Sequence, residues 1–172
     1  MNIGIIGAGS IGKTIAARLA AAGHRIKLAN SRGPETLQPF ADEIGVAAVT
    51  PQEAVVDVET IILSVPLENS PALAGLFVSL PADVVIIDTS NYYPTRGGKI
   101  AEIDAGMLES EWVMSHIGRP LVKGWNALWT GTFDARALPH GAAGRLAIPV
   151  AGDDAHAKAI AISLIDQTGF DA

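Results

Sequence analysis

The sequence predicts an α/β fold: an open, doubly wound, mostly parallel sheet with helices on both faces. Three observations carry that expectation. Strand-like apolar runs alternate with helical patterns at the spacing of right-handed βαβ units. The hydrophobic content is 49%, and much of it is Ala, Ile, Val and Leu, which suits a sheet covered on both sides. The first apolar run ends in a glycine-rich turn, Gly7-Ala8-Gly9-Ser10-Ile11-Gly12, and a helical pattern follows at once.

The elements are expected in this order. Residues 2–7 form the first strand. Residues 10–22 form a helix with Ile11, Ile15, Leu19 and Ala22 on one face and Gly23 as its stop. Arg25–Ala29 is the second strand, and Asn30-Ser31-Arg32-Gly33-Pro34 is a turn. Pro34 suits the first turn of the next helix, which runs to Ile44 and stops at Gly45. Val46–Val49 is a short third strand. Thr50-Pro51-Gln52-Glu53 spells a capping box for a helix over 51–57. Thr60–Val65 is a buried fourth strand, followed by a helical segment over 69–79 that contains Pro71 and Gly75. Asp83–Ile87 is the fifth strand, ending on Asp88-Thr89-Ser90-Asn91. A loop at Tyr92-Tyr93-Pro94 leads to a helix near 97–108. One or two short strands are expected within Trp112–Val122. Trp125–Leu138 begins as a loop and becomes helical, residues 139–144 turn, and Arg145–Val150 is a further strand. Asp153–Gln167 closes as a helix with Asp153 near its N-cap and Gly169 at its end.

No repeat, low-complexity tract or linker interrupts the 172 residues, so a single domain over 1–172 is expected. The net charge of −6 comes without a basic stripe, which argues against a nucleic-acid surface. The absence of cysteine excludes disulfides, thiolate metal sites and a Cys nucleophile. No histidine pair or nearby carboxylate has ligand spacing, so no metal site is expected. The apolar runs fall short of the ~20 residues of a membrane helix, and a strand follows Met1-Asn2 directly. A soluble, cytoplasmic protein is the expectation.

The glycine turn satisfies two motifs. Gly7-x-Gly9-x-x-Gly12 is a dinucleotide fingerprint, and Gly7-xxxx-Gly12-Lys13-Thr14 is a P-loop spelling. Both set phosphate against backbone N–H groups at a helix N-terminus. A P-loop enzyme would use Lys13 on phosphates and Thr14 and Asp88 on magnesium. Gly9 is needed only by the dinucleotide reading. The end of the second strand, where an acid would select the 2′-hydroxyl of NAD, carries Asn30-Ser31-Arg32 instead. Hydrogen-bond donors and a guanidinium there point to a 2′-phosphate, hence to NADP.

These residues, with Leu63-Ser64-Val65-Pro66, Val122-Lys123-Gly124-Trp125-Asn126 and Val150-Ala151-Gly152-Asp153-Asp154 … Gly169-Phe170, resemble the NADP oxidoreductases that use the deazaflavin coenzyme F420 and their NADPH-dependent reductase relatives. The resemblance spans nearly the whole chain. It implies a Rossmann-like NAD(P)-binding fold in which Gly7, Gly9, Ser10, Ile11 and Gly12 wrap the pyrophosphate. Asn30, Ser31 and Arg32 would hold the 2′-phosphate, and Ser64, Val65 and Pro66 would line the ribose and pyrophosphate. The loop from Trp125 through Leu128 would lie by the nicotinamide, with Asn126 at its carboxamide and Leu128 on its ring face. The family pattern continues past a Gly-Phe like Gly169-Phe170 into a further strand and a segment that helps close the substrate site and a dimer. Here the sequence stops at Ala172, so that segment is expected to be missing or shortened. The Trp125–Trp129 spelling is closer to the bacterial relatives.

The expected activity is hydride transfer between NADP(H) and a deazaflavin, flavin or similar small acceptor, in a possible homodimer. Such a reaction needs no dedicated acid or base, so no catalytic side chain is assigned. His116, Lys123, Arg96 and Arg119 are candidates to face an acceptor, but each also reads as an ordinary loop or surface residue. Tyr92 and Tyr93 could frame a flat ring. Trp112 is expected to pack in a core. The competing readings are an NADP(H)-binding redox sensor without turnover and a P-loop nucleotide-binding enzyme.

Overall fold

The computed structural model describes all residues, 1–172. Six strands form one sheet in the order β3-β2-β1-β4-β5-β6: β1 Asn2–Ile6, β2 Arg25–Ala29, β3 Ala47–Val49, β4 Thr60–Leu63, β5 Val85–Asp88 and β6 Val122–Lys123. Every neighbouring pair is parallel. The helices are α1 Ser10–Ala21, α2 Gln38–Ile44, α3 Pro51–Ala54, α4 Pro94–Gly97, α5 Ala101–Asp104, α6 Glu109–Ile117, α7 Thr130–Ala135 and α8 Ala155–Gln167. None is long and apolar enough to cross a membrane.

Successive strand residues feed opposite faces. Ile3, Ile5, Leu28, Ile62 and Ile87 join α1 and α8 in one core, through Ile15, Leu19, Ala161, Leu164 and Ile165. Ile6, Ile61, Leu63 and Ile86 join the other, under Phe77, Trp112, Val113 and Ile117. Each large apolar side chain taken fully from water contributes about 1.5–3 kcal/mol, and covering both faces is what permits an all-parallel sheet. Arg18 ties α1 to the ends of two other helices. Its Nη2 donates to the Phe133 and Asp134 carbonyls of α7, both at 2.9 Å, and its Nη1 to the Thr168 carbonyl at 3.2 Å. Arg145, buried, clasps the C-terminus by pairing with Asp166 at 2.7 Å and Asp171 at 3.2 Å and donating to the Phe170 carbonyl.

The first five strands lie where expected, within two residues at each end, and the Thr50–Glu53 capping box is formed. Six expectations are corrected. The buried face of α1 is Gly12, Ile15, Ala16 and Leu19; Ile11 is half-buried and Ala22 exposed, because the helix ends at Ala21 before another turn can pack. The segment after Pro34 is a 3-10 turn, Pro34–Thr36, before α2. Residues 67–76 are 3-10 turns rather than α-helix, since Pro71 lacks the N–H an α-turn requires. Helix α6 occupies most of the region expected to hold short strands. Glu109 and Glu111 sit in its first turn, Trp112, Val113 and Ile117 face inward, and Gly118 closes it at φ 68°. Arg145–Val150 makes only isolated bridges, Ala147 to Asp171 and, just beyond, Ala151 to Lys123, with Pro149 unable to donate to a ladder. The N-cap of α8 is Asp154, whose carboxylate accepts from Ala157 N at 2.6 Å.

Candidate functional site

The order of strands reverses direction between β1 and β4, and ligands on such sheets bind beyond the carboxyl ends at that point. A cleft of about 760 Å³ opens there, lined by segments that follow β1, β4, β5 and β6.

The β1 segment is shaped by close backbone approach. Gly7 has φ 109°, and a Cβ on it would lie 2.1 Å from the Ser64 carbonyl oxygen. A Cβ on Gly12 would lie 2.0 Å from the Gly7 carbonyl oxygen, so α1 rests directly on the turn. Gly9 differs. A Cβ there would meet nothing within 4 Å, because that side faces the cleft. Gly9 is also the N-cap of α1, and no side chain caps the helix and no acid lies in its first turn. The free N–H groups at the start of α1 therefore point at open space with the positive end of the helix dipole behind them. A pyrophosphate fits this cradle. Ser10 and Ile11 line the cleft beside it, and Ser64, Val65 and Pro66 form the adjoining wall.

Lys13 and Thr14 turn away from the cleft. The Lys13 ammonium sits 4.7 Å over the Phe40 ring, and Thr14 donates to Asp134 at 2.5 Å. Asp88, fully buried, is paired with Lys123 at 2.7 Å and accepts from Ser90 N and Oγ. The three groups a P-loop enzyme would need are thus committed elsewhere.

Asn30, Ser31 and Arg32 stand at the end of β2, outside the cleft lining. Asn30 is engaged by the turn itself: Oδ1 accepts from Arg32 N at 2.8 Å, and Nδ2 donates to Thr36 Oγ1 at 2.9 Å. Ser31 and Arg32 are exposed. No carboxylate pairs with Arg32.

The opposite wall comes from the loops after β5 and β6. Asn91 and Asn126 exchange bonds: Asn91 Nδ2 donates to the Asn126 carbonyl at 2.8 Å, and Asn126 Nδ2 to Asn91 Oδ1 at 3.1 Å. Trp125 holds φ 58°, a conformation costing a bulky residue about 1–3 kcal/mol. It is offset by burial of the indole, whose Nε1 donates to Thr168 Oγ1 at 3.1 Å. The buried ring anchors the loop, and Asn126 and Leu128 are left on the cleft surface. At the mouth stand Tyr93, Arg96, Trp129 and Glu68. Arg96 lies 5.8 Å over the Tyr93 ring, and Trp129 is 87% exposed.

The sequence candidates divide accordingly. Tyr93 and Arg96 reach the cleft, whereas Tyr92 does not. Its hydroxyl accepts from Ile100 N and donates to Asp104, and burial together with that carboxylate pushes its pKa up. His116 bonds the Trp112 carbonyl through Nδ1 at 2.8 Å and lies tilted at 44° against the buried Trp112 ring. Arg119 donates to the Leu80 and Pro81 carbonyls. Lys123, read from sequence as a strand-end residue pointing to solvent, is instead turned inward onto Asp88. Sequence reasoning did not single out Glu68, Thr89 or Ser90. Thr89 and Ser90 directly follow a strand that ends at the cleft, the signal that could have found them.

The family model described as "NADP oxidoreductase coenzyme F420-dependent" matches residues 2–92, more than half of the chain. No curated protein matches the sequence. Among solved structures, a hypothetical protein from Sinorhizobium meliloti is 30% identical, with 99% of this chain and 82% of that one covered and a TM-score of 0.84. A protein assigned as an F420-dependent NADP reductase from Arthrobacter sp. FB24 is 20% identical over 98% of this chain and 81% of that one, TM-score 0.77. The 3-hydroxyisobutyrate dehydrogenase of Mycobacterium tuberculosis shares the fold at 19% identity and TM-score 0.70, with 99% of this chain covering 52% of the larger enzyme. With its Rossmann sheet and glycine cradle, the chain belongs to the family of coenzyme F420-dependent NADP oxidoreductases and is an NADP-dependent oxidoreductase.

Proposed function

We propose that this chain, as a single NADP-binding domain over 1–172, transfers hydride between NADP(H) and a planar deazaflavin or flavin-like acceptor. The observation that carries the reading is the continuity of the cleft. One end is the glycine cradle at the start of α1, and the other is a mouth bearing Tyr93, Arg96 and Trp129. When bound, NADPH supplies the hydride. Gly7, Gly9, Ser10, Ile11 and Gly12 receive the pyrophosphate, Ser64, Val65 and Pro66 flank it, and Ser31 and Arg32 take the 2′-phosphate on a turn ordered by Asn30. Asn126 and Leu128 meet the nicotinamide end. Tyr93 and Trp129 offer apolar faces to a flat acceptor, with Arg96 for an anionic substituent. This arrangement orients two rings and excludes water between them, which is most of what hydride transfer asks of a protein.

A homodimer and a cytoplasmic location belong to the same reading. Sedimentation of the apo-protein measures the first. The function is tested by following NADPH oxidation with coenzyme F420, FMN, FAD and simple quinones offered in turn. Faster oxidation with a planar acceptor is the expected result. Tight NADPH binding with no oxidation by any of them would replace the enzyme by a redox sensor.

A further inference from the structure

We propose that Lys123 is a positioning residue for the nicotinamide half of the cofactor, acting through Ser90 and the Asn91–Asn126 pair. The proposal rests on the cofactor placement given under Proposed function. Loops 89–93 and 124–129 form one wall of the cleft but follow different strands, β5 and β6. Two layers of bonds join them. In the lower layer the Lys123 ammonium, 12% exposed, pairs with Asp88 Oδ2 at 2.7 Å and donates to the Ser90 carbonyl. Asp88 in turn accepts from Ser90 N at 3.0 Å and Ser90 Oγ at 2.9 Å. The turn at Ser90 is therefore gripped from both sides, its carbonyl by the lysine and its N–H and hydroxyl by the carboxylate. In the upper layer Asn91, the next residue, exchanges bonds with Asn126. Ser90, Asn91, Trp125 and Asn126 all line the cleft, whereas Lys123 does not.

A buried ion pair is weak support for stability alone, because desolvation of both charges offsets their attraction. Here the third bond, from the ammonium to the Ser90 carbonyl, gives the pair a geometric task. It fixes the loop after β5 to the end of β6, and so fixes where the paired amides stand. The 2′-phosphate turn at the end of β2 lies at the other side of the sheet, with β1 and β4 between β2 and β5. Loss of the clamp should reach one half of the cofactor and spare the other.

The experiment compares the binding of NADPH with that of 2′,5′-ADP, which lacks the nicotinamide half. In Lys123→Met, NADPH is expected to bind about tenfold more weakly, because the loop must then be ordered at the expense of binding. The affinity for 2′,5′-ADP should stay within about twofold, and the fluorescence of bound dihydronicotinamide at saturation should fall toward its free value. The double variant Lys123→Met with Asp88→Asn leaves no unpaired buried charge and guards against failure to fold. It should show the same selective loss, because its methionine cannot hold the Ser90 carbonyl. Asn91→Ala should reproduce that pattern. Equal weakening of both ligands, unchanged NADPH binding, or full recovery in the double variant would overturn the role of Lys123. If wild-type protein bound NADPH without any change in its fluorescence and 2′,5′-ADP did not compete, the cofactor placement would fail instead, a result distinct from any of these.

Discussion

Replacing Arg32 by alanine should separate NADPH from NADH. The guanidinium is exposed at the end of β2 and no carboxylate of the chain neutralises it. Its backbone is held, since Arg32 N donates to Asn30 Oδ1 and the Asn30 amide is tied to Thr36, which itself donates to the Gly33 carbonyl at 2.8 Å. The turn is ordered before a ligand arrives, and the charge on it is unspent. A hydrogen bond to a charged group contributes about 1.5–3 kcal/mol, and solvent exposure pulls the value toward the lower end. About 1.5 kcal/mol is expected, or roughly a tenfold rise in the dissociation constant of NADPH. NADH carries no 2′-phosphate, so its affinity should be unchanged. The NADPH affinity of the variant should also respond less to added salt, because a screened charge pair has been removed. Titration of both cofactors at two ionic strengths measures all of this. Equal losses for NADPH and NADH would refute the assignment of Arg32 to the 2′-phosphate.

The remaining predictions contrast folding with binding. Gly12→Ala places a Cβ 2.0 Å from the Gly7 carbonyl oxygen and should cost about 1–3 kcal/mol of stability, read as a lower Tm. Gly9→Ala meets no protein atom within 4 Å, so its Tm should hold while NADPH binding weakens. Trp125→Phe loses the bond to Thr168 Oγ1, although that hydroxyl still donates to the Ile165 carbonyl; about 1 kcal/mol of stability should go, measured by denaturant unfolding. The bonds from His140 and then Arg145 lower the pKa of Asp166. A carboxylate depressed in the folded state contributes stability above its unfolded pKa and loses it as pH falls through the folded one. The wild-type Tm should therefore drop on acidification below about pH 4, and Asp166→Asn should start lower and follow a flatter acid limb.

The part of the fold written in backbone constraint was legible in the sequence. Gly7, Gly9 and Gly12 fall where a strand must turn tightly into a helix; Gly7 and Gly12 are held by close backbone approach, while Gly9 leaves open space on the cleft. The strands were equally legible, because β1, β4 and β5 are apolar on both faces. Misreadings fell where one pattern serves two structures. The run from Trp112 to Ile117 is apolar enough for a strand, yet its inward residues are set by a helical turn capped at Gly118. Of the site, the strand ends were visible but their couplings were not. Nothing local in Asp88 or Lys123 shows that they meet, since the residues are 35 apart and only the β5–β6 pairing brings them together. The turn bonds of Asn30 to Arg32 N and Thr36 Oγ1 were equally hidden, because a free amide and one engaged by its own turn have the same spelling.

The contacts that jam Gly7 between Ser64 and α1 also bear on the sequence of events at the cleft. A Cβ at Gly7 or Gly12 would lie 2.0–2.1 Å from a backbone oxygen, so this turn is packed backbone against backbone. On the proposed placement the phosphate end is ready-made, and binding there needs little ordering of the protein. The mouth is built differently, from side chains such as Trp129 that stand mostly in solvent and can rotate. A rigid socket at one end and adjustable rings at the other suit an ordered reaction. On the proposed cofactor placement the expected order is NADPH first and acceptor second, and product-inhibition kinetics measure it.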